Sequence, residues 1–440
     1  MLTDTIVAIS TSLSEGAISI IRMSGSEAIE IASSVFSKNL LTVPANTIHY
    51  GNIVNQEEVI DEVLVSVFRA PKTYTREDVV EINCHGGVYI SQKILALLLS
   101  RGARLAMPGE FTQRAFLNGR IDLTQAEAVQ DLIVADSESS RKLAIQGIKG
   151  SIRKLLDPLL EAMLDTIAHI EVNIDYPEYD DVIQLTNDVV LPELYKWLNQ
   201  LDEILKKAES GRILKQGVKT VIIGAPNVGK SSLFNALLEE DKAIVTEIAG
   251  TTRDLVEGVI RLDNVTLHLI DTAGLHETTN IVEQIGIEKT KKAVEEAELI
   301  LFVLDSTREK TVEEIELYDV VKERNTIIIY NKGDIKKRNG ISISALHNEI
   351  GALITEINKR YQYHQHQLDQ GVINNERQTA LIAKARDYIS QAITATGEYV
   401  ELDLLTIDIQ NAYTSLKEIL GEVKREDLLD ALFENFCLGK

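Results

Sequence analysis

The spacing of apolar residues changes twice along this chain, and each change predicts a change of architecture. Residues 1 to about 118 contain short β-rich stretches separated by Gly and Pro, namely DTIVAIS, GAISIIRMSG, VIDEVLVSVFRAP and DVVEINCHGG. One stretch, VYISQKILALLLSRG, has the pattern of a helix. This mixture of strands and a helix predicts an α+β domain over residues 1–118.

From about residue 119 the apolar residues recur every three or four positions, as a helix with one buried stripe requires. The run from Ile145 to Ile170 predicts a long helix, and a second helical stretch extends from Leu191 to Leu205. A β pattern begins at VKTVIIG, and helical spacing returns after HQHQLDQGVINN. We therefore expect a discontinuous helical domain, 119–215 with 371–440, that carries an inserted α/β domain at 216–370, because insertion is tolerated where entry and exit points lie close together.

The composition is that of a globular protein with several domains, with 440 residues, 45% of them apolar and 25% charged. No stretch reaches the ~18 uncharged apolar residues of a membrane span, and no signal peptide pattern is present, so we expect a cytoplasmic protein with no membrane partner. Two widely separated cysteines favour a reducing compartment.

The formal net charge of −22 repels phosphate backbones, which disfavours binding to DNA and non-specific binding of nucleic acid over the whole surface. An RNA partner would need a local basic patch. The stretches IKGSIRK and NERQTALIAKAR are candidates, although each also fits a solvated helix face.

The strongest chemical signal is the stretch VKTVIIGAPNVGKSSLFNALL, an apolar strand followed by a glycine loop and a helix start. Gly224 and Gly229 let backbone N–H groups surround phosphates, Lys230 can reach the β and γ oxygens, and the Ser231 hydroxyl can bind Mg²⁺. At average residue usage this pattern would arise by chance on the order of once in a hundred chains of this length.

Two motifs downstream fit the γ-phosphate side of a GTP site. Asp271 and Gly274 in LHLIDTAG follow a strand, where the carboxylate can hold Mg²⁺ through water and the glycine N–H can meet the γ-phosphate. In TEIAGTTRD we expect Thr252 to complete the Mg²⁺ shell. Leu275 stands where many small GTPases have a Gln, and because Leu cannot orient water, another group must do so.

The guanine side is predicted from TIIIYNKGD and SISA. Asn331, Lys332 and Asp334 follow an apolar strand, and a carboxylate there accepts hydrogens from guanine N1 and N2 but leaves adenine unpaired, which selects GTP over ATP. Ser344 and Ala345 fit a loop that closes over the base. The motifs together assign GTP contacts to Asn227, Val228, Gly229, Lys230, Ser231, Ser232, Thr246, Glu247, Ile248, Ala249, Gly250, Thr251, Thr252, Asp271, Thr272, Ala273, Gly274, Asn331, Lys332, Asp334, Ser344 and Ala345.

The motifs GAPNVGKSS, AGTTRD, DTAGL and VEQIG resemble the TrmE-Era-EngA-like GTPases. With GEFTQRAFLNGRIDLTQAEAV near the N-terminus and CLGK at the end, the whole chain is similar to the MnmE (TrmE) family of tRNA modification GTPases. The resemblance implies a Ras-like P-loop G domain inserted into a helical domain, and an N-terminal domain similar to tetrahydrofolate-binding domains that also forms a homodimer.

The resemblance also implies a K⁺ ion in the role that an arginine finger has elsewhere. Asn227 matches its side-chain ligand, and the positions of Thr246, Ile248 and Thr251 match its carbonyl ligands. Glu283 matches the carboxylate that orients water in the family. His276 stands where family members often have Arg.

The family's folate site maps onto Arg22, Glu81, Arg120 and Lys440, with 5-formyl- or 5,10-methylene-tetrahydrofolate as the ligand. An acid can accept from pterin N–H groups, and a guanidinium can hold carboxylate or carbonyl oxygens. By the same resemblance Cys437 would stand near the one-carbon carrier as a candidate catalytic thiol.

Cys84 and His85 are adjacent in a predicted strand, so their side chains lie on opposite faces, and the sequence has no second pair of zinc ligands. We therefore expect no zinc site and predict that Cys84 is a core residue.

The function implied is GTP hydrolysis coupled to addition of a carboxymethylaminomethyl or aminomethyl group at C5 of the wobble uridine of certain tRNAs. An FAD-dependent partner resembling MnmG would act with this chain. One alternative is a ribosome-assembly GTPase switch without modification activity, and another is a stand-alone folate-dependent methyl transferase regulated by GTP.

Overall fold

The structure is a computed structural model that describes residues 4–135, 137–175, 187–239, 256–270, 294–365, 372–397, 402–423 and 439. The chain divides into two compact units. The first comprises Met1–Val134, Ile148–Arg153 and Leu416–Lys440, and the second comprises Ala135–Gly147 and Lys154–Ser415. The finer boundaries expected above, 1–118, 119–215 with 371–440, and 216–370, stay a prediction.

A six-stranded sheet organises the first unit, with the strand order β3-β4-β5-β2-β1-β6. Neighbouring strands are antiparallel except for β6, which is parallel to β1. The strands are β1 (Ile6–Ile9), β2 (Ile18–Ser24), β3 (Thr47–Asn55), β4 (Glu58–Phe68), β5 (Val79–His85) and β6 (Arg104–Leu105). The helices of this region are α1 (Ala28–Val35), α2 (Val88–Ser100), α3 (Glu110–Leu117) and α4 (Leu123–Val134). The predicted mixture of strands and helix is confirmed.

One face of this sheet is packed because apolar residues alternate along its strands. In β4 the side chains of Val63, Val65 and Val67 are buried in the same apolar cluster as residues from α1 and α2. Cys84 belongs to that cluster with 2% of its surface exposed, so its assignment to the core is confirmed. Burial raises the pKa of the Cys84 thiol to about 11, which makes it a poor nucleophile near neutral pH.

Long helices follow the first sheet. They are α5 (Glu138–Ile148), α6 (Ser151–Asp175) and α7 (Asn187–Gln216), and after the second sheet come α11 (Glu376–Gly397) and α12 (Leu402–Ile419). The prediction of one helix from Ile145 to Ile170 was wrong, because the chain breaks at Gly150, which adopts a left-handed φ of 76° between α5 and α6. The second predicted helix is confirmed within α7, where Leu194, Trp197 and Leu201 form a buried stripe. Among the described residues, no helix has both the length and the apolar character that crossing a membrane requires.

The second sheet has the strand order β12-β11-β10-β7-β9-β8. All neighbours are parallel except β8, which runs antiparallel to β9. The strands are β7 (Val218–Ile223), β8 (Val256–Arg261), β9 (Thr266–Ile270), β10 (Leu299–Asp305), β11 (Thr326–Asn331) and β12 (Ile341–Ser342). The helices of this α/β part are α8 (Lys230–Glu239), α9 (Val312–Val321) and α10 (Gly351–Gln365).

Apolar clusters lie on both sides of the second sheet, which explains why its central strand, LILFVLD, is an unbroken apolar run rather than an alternating one. The loops that follow β7, β10, β11 and β12 leave the sheet at its carboxyl edge. Ligands of open parallel sheets bind at this edge.

Candidate functional site

The loop after β7 has the backbone geometry of a phosphate cradle. Its residues Asn227 and Gly229 have positive φ values of 62° and 95°. A side chain at Gly229 is excluded, because its Cβ would lie 2.2 Å from Nδ2 of Asn331. Helix α8 begins directly after this loop, so its unpaired N–H groups and positive dipole end face the space that the loop encloses.

Lys230 crosses the phosphate loop. Its Nζ donates hydrogen bonds to the carbonyl oxygens of Gly224 at 3.0 Å and Ala225 at 2.9 Å. Burial lowers the pKa of this ammonium. Ser231 and Ser232 follow in the first turn of α8, where Ser231 is exposed and can offer its hydroxyl to a metal ion. The loop, the lysine and the hydroxyl therefore fit a magnesium-bound polyphosphate.

Asn331 connects the phosphate loop to the base loop. The side chain is 4% exposed, its Nδ2 donates to the Val228 carbonyl at 2.9 Å, and its Oδ1 accepts from the Ala345 amide at 3.0 Å. Both functional ends of the amide are used by protein groups. Asn331 therefore sets the distance between two loops, a role that its motif alone does not reveal.

Asp334 presents a carboxylate at the end of the base loop. Its Oδ1 accepts from the Ser344 hydroxyl at 2.7 Å, and this hydrogen bond is the main reason that the pKa of Asp334 lies below its ordinary value. An ionised carboxylate only accepts hydrogen bonds, which matches the N1 and N2 hydrogens of guanine. The structure thus brings together Asn331, Asp334, Ser344 and Ala345, while their contact with guanine stays a prediction.

Lys332 forms an ion pair that the motifs did not indicate. Its Nζ lies 2.6 Å from Oδ2 of Asp305, the last residue of β10. Burial raises the pKa of Asp305, but hydrogen bonds from Lys332 and Thr307 outweigh this and lower the pKa to about 2. One feature of the sequence could have indicated this ion pair. LILFVLD, like TIIIYN, is an apolar strand that ends in a polar residue, and both residues would lie at the carboxyl edge of the sheet.

Part of the predicted nucleotide site lies outside the described residues. These positions are Thr246, Glu247, Ile248, Ala249, Gly250, Thr251, Thr252, Asp271, Thr272, Ala273, Gly274, Leu275, His276 and Glu283. The strand expected before Asp271 is confirmed as β9.

In the first unit, Arg22 and Glu81 are direct neighbours across β2 and β5. Nε of Arg22 donates to Oε1 of Glu81 at 2.8 Å, and Nη1 donates to the carbonyl oxygen of Gly439 at 3.2 Å. The Ser10 hydroxyl donates to the same carbonyl at 3.2 Å. Gly439 therefore contacts the predicted folate residue Arg22, whereas Cys437 and Lys440 lie outside the described part of the chain.

Aromatic rings complete this region. The guanidinium carbon of Arg22 lies 5.8 Å from the ring centroid of Phe111, and that of Arg120 lies 4.8 Å from the ring centroid of Tyr74. Tyr74 packs against the apolar cluster that contains Phe111. The two predicted arginines thus flank one aromatic cluster, with Arg120 itself exposed. Rings beside a carboxylate and two guanidinium groups fit a flat, polar heterocycle with acidic substituents.

Helix α3, which carries Phe111, is held by a buried ion cluster. Arg114 is 1% exposed and pairs with Glu110 at 3.1 Å, Asp4 at 2.8 Å and Glu77 at 3.2 Å. Burial would raise the pKa of Glu110, but hydrogen bonds from Arg104 and Arg114 lower it below its ordinary value. Removing one partner of such a cluster leaves buried charge without compensation, so this cluster keeps α3 in place.

His85 pairs with Asp61 through Nδ1 and Oδ1 at 2.6 Å. Over the described residues, no group of three or more His, Cys, Asp or Glu side chains could hold a metal ion.

The mostly parallel sheet with its glycine loop, half-buried lysine and carboxylate-bearing base loop defines a P-loop protein that binds a guanine nucleotide. A family model described as the MnmE helical domain matches residues 123–437, and one described as the GTP-binding protein TrmE N-terminus matches residues 5–120. The chain belongs to the MnmE family of tRNA modification GTPases.

The chain is 48% identical to "tRNA modification GTPase MnmE" of Lactococcus lactis subsp. cremoris (strain MG1363), over 99% of this chain and 98% of the relative. It is 46% identical to the protein of that name from Bacillus cytotoxicus, over 99% of both chains. Among solved structures, Era from Aquifex aeolicus bound to GDP.AlF4- is 27% identical over 33% of this chain and 56% of its own, with a TM-score of 0.26. The G domain of the T. maritima FeoB iron transporter is 26% identical over 34% of this chain and 98% of its own, with a TM-score of 0.24.

Proposed function

We propose that this chain is a K⁺-stimulated GTPase that acts as a homodimer in the cytoplasm. With an FAD-dependent partner resembling MnmG, it adds a carboxymethylaminomethyl or aminomethyl group to C5 of the wobble uridine of certain tRNAs. The one-carbon unit comes from 5-formyl- or 5,10-methylene-tetrahydrofolate. The observation that carries the proposal is that three features occur in one chain. These are membership of the MnmE family, a guanine-nucleotide site and a second polar region lined by aromatic rings.

The nucleotide part of the proposal rests on the carboxyl edge of the second sheet. The phosphate loop and Lys230 would hold the polyphosphate, while Asp334 would select guanine because its carboxylate accepts two hydrogens that adenine cannot supply. Asn331 keeps the two loops at a fixed separation through its contacts with Val228 and Ala345.

Two metal ions belong to the proposal. Ser231 and Thr252 would hold Mg²⁺, and Asn227 with the carbonyls of the loop before Thr252 would hold K⁺. Bound there, the ions would neutralise charge that develops on the phosphates during hydrolysis. Asn227 is exposed on the phosphate loop, and its amide oxygen is a hard donor suited to such an ion. By the family resemblance Glu283 would orient the attacking water, since Leu275 has no group that can bind water.

The folate part of the proposal rests on the first unit. Glu81 would accept from the pterin N–H groups, while Arg22 and Arg120 would hold its oxygens or carboxylates. Gly439 contacts Arg22, and this supports a role for the neighbouring C-terminal residues Cys437 and Lys440 near the one-carbon unit. GTP hydrolysis would drive conformational change and would not itself form the new C–C bond.

The test is nucleoside analysis of tRNA from a strain that lacks this protein. We expect the C5 substituent of the wobble uridine to disappear and to return when the wild-type chain is supplied. The variant Cys437→Ser should fail to restore the substituent while keeping GTP hydrolysis, and Cys84→Ser serves as the matched cysteine control. If the strain that lacks the protein instead kept wild-type levels of wobble-uridine modification and had altered ribosomal subunit profiles, a ribosome-assembly switch would be favoured.

A further inference from the structure

The end of β10 forms a support for the base loop. Asp305, Ser306 and Thr307 make a tight turn in which the Thr307 amide and hydroxyl both donate to Oδ1 of Asp305, at 2.9 and 2.6 Å. This leaves Oδ2 of Asp305 for Lys332, at 2.6 Å. The two oxygens of one carboxylate therefore have separate tasks, since one closes the turn and the other binds the lysine.

The same turn holds the backbone of the base loop. The Ser306 amide donates to the Asn331 carbonyl at 3.0 Å, and the Ser306 hydroxyl donates to the Lys332 carbonyl at 3.0 Å. Lys332 has a φ of 64°, a left-handed conformation that non-glycine residues rarely adopt without support. The contacts from Ser306 and Asp305 supply that support.

Arg338 holds the turn from its other side. Nε of Arg338 donates to the Ser306 carbonyl at 2.9 Å, and Nη2 donates to the Arg308 carbonyl at 2.7 Å. Asp305 is only 9% exposed in its side chain. A partly buried acceptor, held in a hydrogen-bonded turn, thus faces the Lys332 ammonium.

We propose that Asp305 is a positioning residue for guanine recognition, which holds the Lys332 side chain extended along the base site. This inference rests on the proposed guanine-nucleotide binding at the same edge. With Nζ tied to Asp305, the methylene chain of Lys332 would be held in one conformation in the base loop, two residues before Asp334. Ordering the side chain in advance removes an entropic cost that binding would otherwise carry.

The variant Asp305→Asn tests the inference because it changes the carboxylate with no change of size. Its Oδ1 can still accept from Thr307, but an NH₂ group replaces the oxygen that faces Lys332 and cannot accept from it. We expect the Kd for GDP to rise roughly 10-fold, as loss of one charged hydrogen bond implies. The measurement is equilibrium binding and release of fluorescently labelled GDP by the full chain.

A double-mutant cycle distinguishes positioning from a general structural fault. If Asp305 acts through Lys332, then Asp305→Asn should add almost nothing in a Lys332→Met background. A loss that persists in the Lys332→Met background would overturn the inference, and this holds even if the variant unfolds at a lower temperature.

The matched control is Asp319→Asn, which breaks an exposed pair with Lys322 of 2.9 Å in the same α/β part of the chain. It should leave the Kd for GDP unchanged. If Asp305→Asn bound GDP with wild-type affinity, the inference about Asp305 would be overturned and the proposed function would stand. If the wild-type chain did not bind GDP, the proposed function itself would be overturned.

Discussion

At the scale of single residues, the phosphate loop depends on a position that has no side chain. Gly229 combines a positive φ of 95° with a close approach to Asn331, whose Nδ2 would lie 2.2 Å from an added Cβ. Asn331 cannot retreat, because its amide already bonds Val228 and Ala345. Crowding at Gly229 would therefore disturb the phosphate loop and the base loop together.

We predict that Gly229→Ala lowers GDP and GTP affinity by at least about 100-fold, since both a strained backbone and a displaced Asn331 oppose binding. Isothermal titration calorimetry would measure the Kd values for GDP and GTP. Gly102→Ala is the matched control, because Gly102 has a φ of 109° but no atom within 4 Å of an added Cβ. That variant should lose some stability and keep nucleotide affinity; equal binding by Gly229→Ala and wild type would contradict the prediction.

At the scale of elements, helix α7 packs closely against the chain segment that precedes α11. Gly211 of α7 faces this segment, and an added Cβ would lie 2.4 Å from the Ile373 carbonyl oxygen and 2.7 Å from Cγ1 of Val372. Val372 and Ile373 are 5% and 1% exposed. The close approach places a main-chain carbonyl, which cannot change rotamer, at the point of contact.

We predict that Gly211→Ala lowers the free energy of unfolding of this unit by about 1–3 kcal/mol, the usual effect of overpacking. Trp197 of α7 is the only tryptophan in the sequence and is fully buried, so its fluorescence reports unfolding of this helix directly. Gly351→Ala, at the start of α10 with open space around an added Cβ, is the control and should be neutral or slightly stabilising. Unchanged stability of Gly211→Ala would show that the two segments can separate freely.

At the scale of the whole molecule, charge is the dominant constraint. A chain with a net charge of −22 repels a polyanionic nucleotide at long range, so the site must supply its own positive charge. Among the described residues of the phosphate loop and the first turn of α8, Lys230 is the cationic side chain. This shortage of local positive charge favours bound cations as the groups that neutralise the phosphates during hydrolysis.

We therefore expect GTP turnover to be at least about 10-fold faster in potassium than in sodium buffer at equal ionic strength, because a missing charge stabiliser costs at least that much in rate. Phosphate release would be measured in both buffers and at several protein concentrations, since a dimeric assembly should turn over faster when concentrated. Asn227→Ala should abolish the difference. Asn46→Ala, which removes another Asn with a positive φ, here 60°, should preserve it.

Local patterns predicted much of the fold and part of the site. Helix α2, the stripe of α7, strands β7 and β11 and the phosphate loop were all expected, since each depends on neighbours within a few residues. The break at Gly150 was missed, because apolar spacing continues on both sides of it and says nothing about one left-handed residue. The folate assignment of Arg22, Glu81 and Arg120 came from family resemblance, and no periodicity marks those residues.

The sequence by itself determined the order of elements, the chemistry of the phosphate loop and the guanine-selecting carboxylate, because adjacent residues encode periodicity and motif spacing. Only the tertiary structure decided which distant groups meet. Asp305 and Lys332 are 27 positions apart, Val228 and Asn331 are 103 apart, and Arg22 and Gly439 are 417 apart. Such contacts arise when parallel strands end at one edge of a sheet, or when Gly439 lies beside a strand of the first sheet. The number of residues between two positions does not predict either arrangement.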